Sequence, residues 1–326
     1  MAIKLTTQVE IDKDIPELNH KQRMLLMGSC FAGNIGERMK AGGLRVDVNP
    51  FGVLYNPLSI AEAMRQLIDG KCYALSDLIN VRGLWHSSMH HGSFSSSQSE
   101  EVLNNINGRL GNAHALVNGG MERLIITFGS AYVYTDKLSG MVVSNCHKRP
   151  ESDFLRRRVS VREIVDAYIP LIDELLKLNP SLNIIFTVSP IRHIRDGLAN
   201  NQLSKSTLLL AVDELCCRYK ECFYFPSYEI MMDELRDYRF YADDLVHPSE
   251  MAVEYIWERF SAQLFSADTR RLITECAALN RSIQHRPLHP DSEEYKRFLG
   301  QIVLKIKLLK EKYPYLELDY NMSLHK

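Results

Sequence analysis

Short, mainly apolar runs alternate along this chain with longer segments whose apolar positions recur three and four residues apart. The runs are Arg23 to Met27, Leu124 to Phe128, Asn183 to Val188 and Cys222 to Phe225, and Arg45 to Val48 reads as a further short strand. A run with no polar alternation suits a parallel strand covered on both faces. The segments between them read as amphipathic helices. One starts directly after Ser29 and ends at Gly42-Gly43, and Asn56-Pro57-Leu58-Ser59 caps a second with Ile60, Ala63, Met64 and Leu67 inward. A third runs from about Glu101 to Asn118. Val161, Ile164, Val165, Tyr168, Leu171, Ile172 and Leu175 share one face of a fourth, with Pro170 placed to bend it. Ser204 is expected to cap a fifth, bearing Leu208, Val212, Leu215 and Tyr219. Pro248 and Ser249 start a sixth, with Val253, Ile256, Trp257 and Phe260 buried.

The remaining segments are less regular. Residues 3–11 alternate and read as an edge strand. Residues 70–100 read as a long loop or small insertion, and residues 131–150 as a strand pair or loop. The basic run Arg156-Arg157-Arg158 reads as a solvated helix face, too short for a nucleic-acid footprint. After about residue 268, two helices joined by His285-Arg286-Pro287-Leu288-His289-Pro290 read as an αα-hairpin. The expected fold is therefore α/β: a doubly wound, mainly parallel five-stranded sheet flanked by helices over residues 1–267, with a C-terminal helical hairpin over 268–326. Ligands of such sheets bind beyond the carboxyl ends of the strands. Ser29, Gly52, Ser130, His193 and the Asp244–His247 loop follow strand ends and should converge there.

Composition narrows the class. A net charge of −1 gives no reason to expect a nucleic-acid or membrane-surface partner. The N-terminal stretch lacks the apolar core of a signal peptide, and no apolar run reaches the length of a membrane span. The seven cysteines are scattered and odd in number, as reduced thiols are, so a cytoplasmic location is expected. No CxxC pair supports a structural zinc. His86, His90 and His91 share one segment without an acidic or thiol ligand beside them, so no metal and no organic cofactor is expected.

The candidate chemistry lies at two distant places. Leu25-Leu26-Met27-Gly28-Ser29-Cys30-Phe31-Ala32 places a hydroxyl between a strand and a helix N-terminus. Free backbone N–H groups and the positive end of the helix dipole lie close to such a hydroxyl, an environment that stabilises an oxyanion. A serine needs a base to become a nucleophile. His247 follows Asp244 by three residues, and across a turn that spacing lets the carboxylate fix the imidazole tautomer.

A Gly-Ser turn after the first buried strand, with DxxH last, resembles the SGNH (GDSL-type) hydrolase superfamily. Gly28-Ser29-Cys30-Phe31-Ala32 spells the motif that names the GSCFA family, whose members are mostly bacterial. Asn49-Pro50-Phe51-Gly52, Tyr55-Asn56-Pro57, Asn145-Cys146-His147-Lys148 and Thr187-Val188-Ser189-Pro190 are similar to further stretches of that family. The resemblance spans roughly residues 1–260 and leaves the C-terminal hairpin outside its motifs. It implies Ser29 as nucleophile, His247 as general base and Asp244 as its orienting partner. It also implies an oxyanion hole from the N–H of Ser29, the N–H of Gly52 and an asparagine side chain. The superfamily's G-x-N-D is absent here: Gly129-Ser130-Ala131-Tyr132 follows the third strand. Asn145 and Asn56 are candidate replacements, and Ser130 is a weaker donor. Asn56, His91, His147 and His193 are candidate substrate contacts, and Arg192 and Arg195 are candidate anion ligands.

The resulting expectation is a serine esterase acting on a small ester, such as an O-acetyl group on a carbohydrate or cell-envelope precursor. An acyltransferase with the same site is one alternative. A non-catalytic module docking a partner or a second copy through the C-terminal hairpin is another. A phosphate-binding α/β protein ranks last, because the lysine and second glycine of a P-loop are missing.

Overall fold

The computed structural model describes residues 6–284, Leu288 and residues 292–316. The first part of the chain forms β1 (Met24–Gly28), α1 (Cys30–Ala41), β2 (Val46–Val48), α2 (Pro57–Asp69), β3 (Leu78–Val81), β4 (Leu84–Ser87) and α3 (Ser99–Asn118). There follow β5 (Arg123–Phe128), β6 (Tyr132–Asp136), β7 (Val142–Val143), β8 (Phe154–Arg158), α4 (Val161–Leu178), β9 (Asn183–Val188) and α5 (Leu198–Arg218). The last part holds β10 (Cys222–Phe225), the short α6 (Ser227–Glu229), α7 (Glu250–Leu264), α8 (Ala267–Gln284) and α9 (Glu293–Lys312).

The four apolar runs and the further short strand form one five-stranded sheet in the order β10-β9-β5-β1-β2, with every pairing parallel. Strand residues alternate between two cores. Leu25, Met27, Leu124, Ile126, Ile184 and Phe186 face one core, which takes in α2, α3, α4 and α5. Met24, Leu26, Ile125 and Ile185 face the other, shared with α1 and α7. Cover on both sides explains why the central strands carry no polar alternation, while β2 at the edge is half-buried and holds Asp47.

Several expectations need correction. Residues 6–11 form no strand, and residues 1–5 lie outside the described residues. The segment 70–100 contains the antiparallel β3–β4 hairpin, whose turn uses Arg82 and Gly83, both at positive φ. Residues 131–158 form a three-stranded sheet in the order β7-β6-β8, and the Arg156–Arg158 run lies in β8 rather than on a helix. Arg156 is held there by an ion pair with Asp196 and stacks over Tyr132 at 4.2 Å. Helix α5 begins at Leu198, so Ser204 is buried within it and caps nothing.

Helix α8 lies across the far end of α1. Ile273 joins the α1–α7 core, while Leu272, Cys276 and Leu279 pack with Ile302 and Leu309 of α9. Most of the expected linker, His285 to Pro290, lies outside the described residues. Among the described residues no helix is long and apolar enough to cross a membrane.

Candidate active site

Ser29 is the residue before α1, at the carboxyl end of β1. Gly28 precedes it with φ +140°, and a Cβ there would land on the carbonyl oxygen of Thr127 in β5. Only glycine lets β1 run so close to β5 and still turn into α1. Asn49 clamps the same bend: its side-chain oxygen accepts from the Gly28 N–H at 2.9 Å. Serine at this position ordinarily caps its helix. Here the side chain makes no capping bond, although Ser29 is only 1% exposed, and its Oγ is buried without a partner among the described residues. A buried hydroxyl denied a partner is a costly arrangement and a sign of chemical use.

The Asp244–His247 turn is closed on itself. Asp244 accepts the N–H groups of Val246 and His247 on one oxygen, each at 2.9 Å, and meets His247 Nδ1 with the other at 2.6 Å. Those backbone donors, and then the imidazole, hold the carboxyl down at a pKa of about 2. With the Nδ1 proton directed at Asp244, Nε2 is left to accept a proton. Both side chains are about half exposed. Leu245 takes a left-handed conformation (φ +57°), unusual for leucine. Arg192 secures this strained loop: its N–H donates to Val246 O at 3.3 Å and its guanidinium to Leu245 O at 3.2 Å. The Ser29 hydroxyl and the His247 imidazole are not hydrogen-bonded to each other.

The expected oxyanion donors are arranged differently from expectation. The Gly52 N–H donates to Asn49 O at 2.8 Å, closing its own turn. The Ser29 N–H makes a long bond of 3.3 Å to Thr127 O. The Asn56 side chain caps α2, accepting from Ser59 N at 2.8 Å and donating to Ser59 Oγ at 2.9 Å, so its amide serves the helix. Asn145 accepts from His147 N at 2.9 Å and its own N–H reaches Ser88, which places it on the β3–β4 insert. The Ser130 Oγ accepts from Tyr132 N at 3.1 Å and lies 3.4 Å from Ser204 Oγ.

The histidines divide into two groups. His86 and His147 stack at 4.3 Å, and His147 Nε2 bonds Ser87 O at 2.8 Å, so His147 fastens two inserts together. His90 is fully buried against Phe51 at 4.6 Å, and burial holds it neutral with a pKa of about 3. His91 seats against Gly52, where a Cβ would collide with its side chain. His193 belongs with His247: its pKa falls to about 4, through burial first and then the charges of Lys205 and His247. Its Nε2 is buried without a partner among the described residues, and its ring stands edge-on to Tyr55 at 6.3 Å. The candidate anion ligand Arg195 pairs instead with Glu151 and the Tyr134 hydroxyl. Among the described residues no three His, Cys, Asp or Glu side chains are grouped to hold a metal ion.

Sequence reasoning missed one face of α5. Asn201, Ser204 and Lys205 lie three and four residues apart and are all buried. Asn201 accepts from His193 N at 2.9 Å and Ser204 from Ala131 N at 2.8 Å. Lys205 donates to Gly129 O at 2.8 Å and Ser189 O at 2.7 Å. The expected helix start at Ser204 hid this face, because Asn201 then fell outside the helix.

Among solved structures the chain is similar to a carbohydrate esterase family 3 protein from Talaromyces cellulolyticus, at 12% identity and a TM-score of 0.37, over 78% of this chain and 99% of that one. It is similar to an acetyl esterase variant holding an acetate ion, at 13% identity and a TM-score of 0.36, over 78% and 99%. A third is the acetyl xylan esterase Est2A from the rumen bacterium Butyrivibrio proteoclasticus, at 12% identity and a TM-score of 0.37, over 74% and 63%. Likeness at this level decides nothing about activity. No curated protein matches the chain. The model of the GSCFA domain protein C-terminal domain matches residues 276–324, which include α9. The GSCFA family model matches residues 23–260, from the strand that carries Ser29 to the helix that follows His247, and the chain belongs to the GSCFA family.

Proposed function

We propose that this protein is a serine esterase that removes a small acyl group. The observation that carries the reading is the buried Ser29 hydroxyl, left unbonded at a helix N-terminus where capping would ordinarily consume it. In this reading Ser29 Oγ adds to the ester carbonyl while His247 Nε2 takes its proton. Asp244 holds the tautomer and balances the imidazolium. Collapse of the tetrahedral intermediate expels the alcohol, which receives that proton from His247. Water, activated by the same imidazole, then releases the acid and regenerates Ser29.

The near-complete burial of Ser29 favours an acetyl-sized acyl group. Beside the Asp244–His247 loop lies a cavity of about 170 Å³ lined by Tyr238 and Tyr241, by three apolar side chains and by the charged Arg192, Arg236 and Asp237. Together with the exposed ring of Tyr55, these aromatic faces suit the alcohol part of an O-acetylated carbohydrate. The committed N–H of Gly52 favours a second reading, a binding module whose catalytic site has decayed.

A fluorophosphonate probe read by intact mass separates the two. The esterase reading expects one adduct on the wild type and none on Ser29→Ala, together with release of acetate from an acetylated sugar. A folded wild-type chain that takes no adduct selects the binding module.

A further inference from the structure

We propose that Lys205 is a positioning residue of this site: it ties the carbonyl ends of β5 and β9 together and fixes a positive charge beneath the Ser29–Cys30 turn. The inference rests on the serine-esterase reading. Burying an ammonium is expensive, and such a group is normally paired with a carboxylate. Lys205 is completely buried, yet its hydrogen bonds go to two backbone carbonyls. Glu229 of α6 is the carboxyl whose charge reaches it, and Glu229 is itself bonded by the Tyr224 hydroxyl at 2.7 Å. The other groups facing Lys205 are the Cys30 thiol from α1, the His193 ring from the segment after β9, and the Tyr228 ring at 5.4 Å. A methionine would fill similar space without the cost of a buried charge.

The two carbonyls locate the charge. Gly129 approaches the nucleophile so closely that a Cβ there would lie 3.5 Å from Ser29 Cβ. Ser189 leads through Pro190 to His193, whose N–H is held by Asn201 one turn before Lys205 on the same helix face. One side of α5 therefore sets the residues next to the nucleophile and those next to the base. The acyl oxygen turns negative as Ser29 adds, while the Gly52 N–H is engaged elsewhere. A fixed cation under the turn favours that charge by its field, without contact. Burial lowers the Lys205 pKa to about 7, so the field should fade as pH rises through neutrality.

The test measures the rate of fluorophosphonate labelling of Ser29 from pH 5 to pH 10 in full-length wild type, Lys205→Met and Lys205→Arg, with thermal melting as the check on folding. Wild type should label fastest near neutrality and more slowly above about pH 7. Lys205→Met should label about tenfold more slowly at pH 6.5 and lose the alkaline decline. Lys205→Arg, charged at every pH used, should restore the rate and also remove the decline. If Lys205→Met does not fold, Lys205→Arg decides alone: an unchanged alkaline decline overturns the proposal. Folded variants with the wild-type rate and profile overturn it too, and leave the esterase reading standing. A wild type that never labels removes both.

Discussion

Ser29 lies under the strand ends, sealed by β5 and held by glycines, whereas His247 rides on a loop half open to solvent. The Ser29 side is fixed through its backbone: Gly28 against Thr127, Asn49 on the Gly28 N–H, Lys205 on two carbonyls. The His247 side is fixed by side chains on a strained turn: Asp244 accepting the N–H groups of Val246 and His247, and Arg192 donating to Leu245 O. The contrast follows the work each group would do. A nucleophile needs a constant geometry and field, which burial provides. A base must exchange its proton with water between turnovers, which burial would prevent.

If that division is right, variants of the two sides should fail differently. Ser29→Ala should abolish labelling and acetate release while melting like wild type, because a methyl group suits the buried position. His247→Ala should slow both by about a thousandfold, the usual range for a lost general base. Asp244→Asn should slow hydrolysis by about ten- to a hundredfold, less than His247→Ala because solvent reaches the turn and can replace part of the support. The low pKa of Asp244 has a sign that urea melts against pH can check. Depressed from 3.8 to about 2, the carboxyl contributes stability above pH 4 that fades as the pH falls toward 2, and Asp244→Asn should lack that dependence. Arg192→Met should raise KM about threefold with little change in melting, since it alters the lining of the cavity beside Tyr241 and removes one bond to the Asp244–His247 loop. An equal loss for Arg192→Met and Ser29→Ala would erase the distinction between the two sides.

The smallest effect on activity should come from a control in the insert. His90, neutral with a pKa near 3 in the fold, binds a proton below about pH 6.5 once unfolded. The fold should therefore lose stability as pH falls from 6.5 toward 3. His90→Phe, among Phe51, Tyr73 and Phe94, should flatten that loss and leave kcat near wild type.

The sheet was legible because its central strands β1, β5 and β9 are buried on both faces and read as nearly continuous apolar runs, whereas the edge strand β2, Val-Asp-Val, is short and half-buried. Ser29 and Asp244–His247 were legible because turn chemistry is local: glycine before a bend, a carboxylate three residues before an imidazole. What escaped is non-local. The β3–β4 hairpin and β8 are half-exposed and short, and Arg156 is covered only because Asp196 and Tyr132 arrive from elsewhere. The polar face of α5 could not be read while the helix was expected to start at Ser204, and Lys205 is accommodated only because the carbonyls of Gly129 and Ser189 arrive from other elements. Asn-Pro-Phe-Gly marks a turn at residues 49–52, but it does not announce that the Gly52 N–H is spent on Asn49 O.

The far end of α1 holds a record of a different kind. Gly43 has φ +76°, so its backbone alone favours glycine. Gly42 has an ordinary φ of −79°, and a Cβ there would lie 2.8 Å from Ile273 Cγ2 of α8. The turn itself crowds such a Cβ only at Arg38 O, 3.3 Å away; the tighter contact comes from the helix laid across it. In descent, then, position 42 should be constrained most tightly in lineages that carry the C-terminal hairpin. Relatives that lost or never gained it should drift there to alanine and larger residues, while Gly28 at the other end of the same helix stays fixed in both.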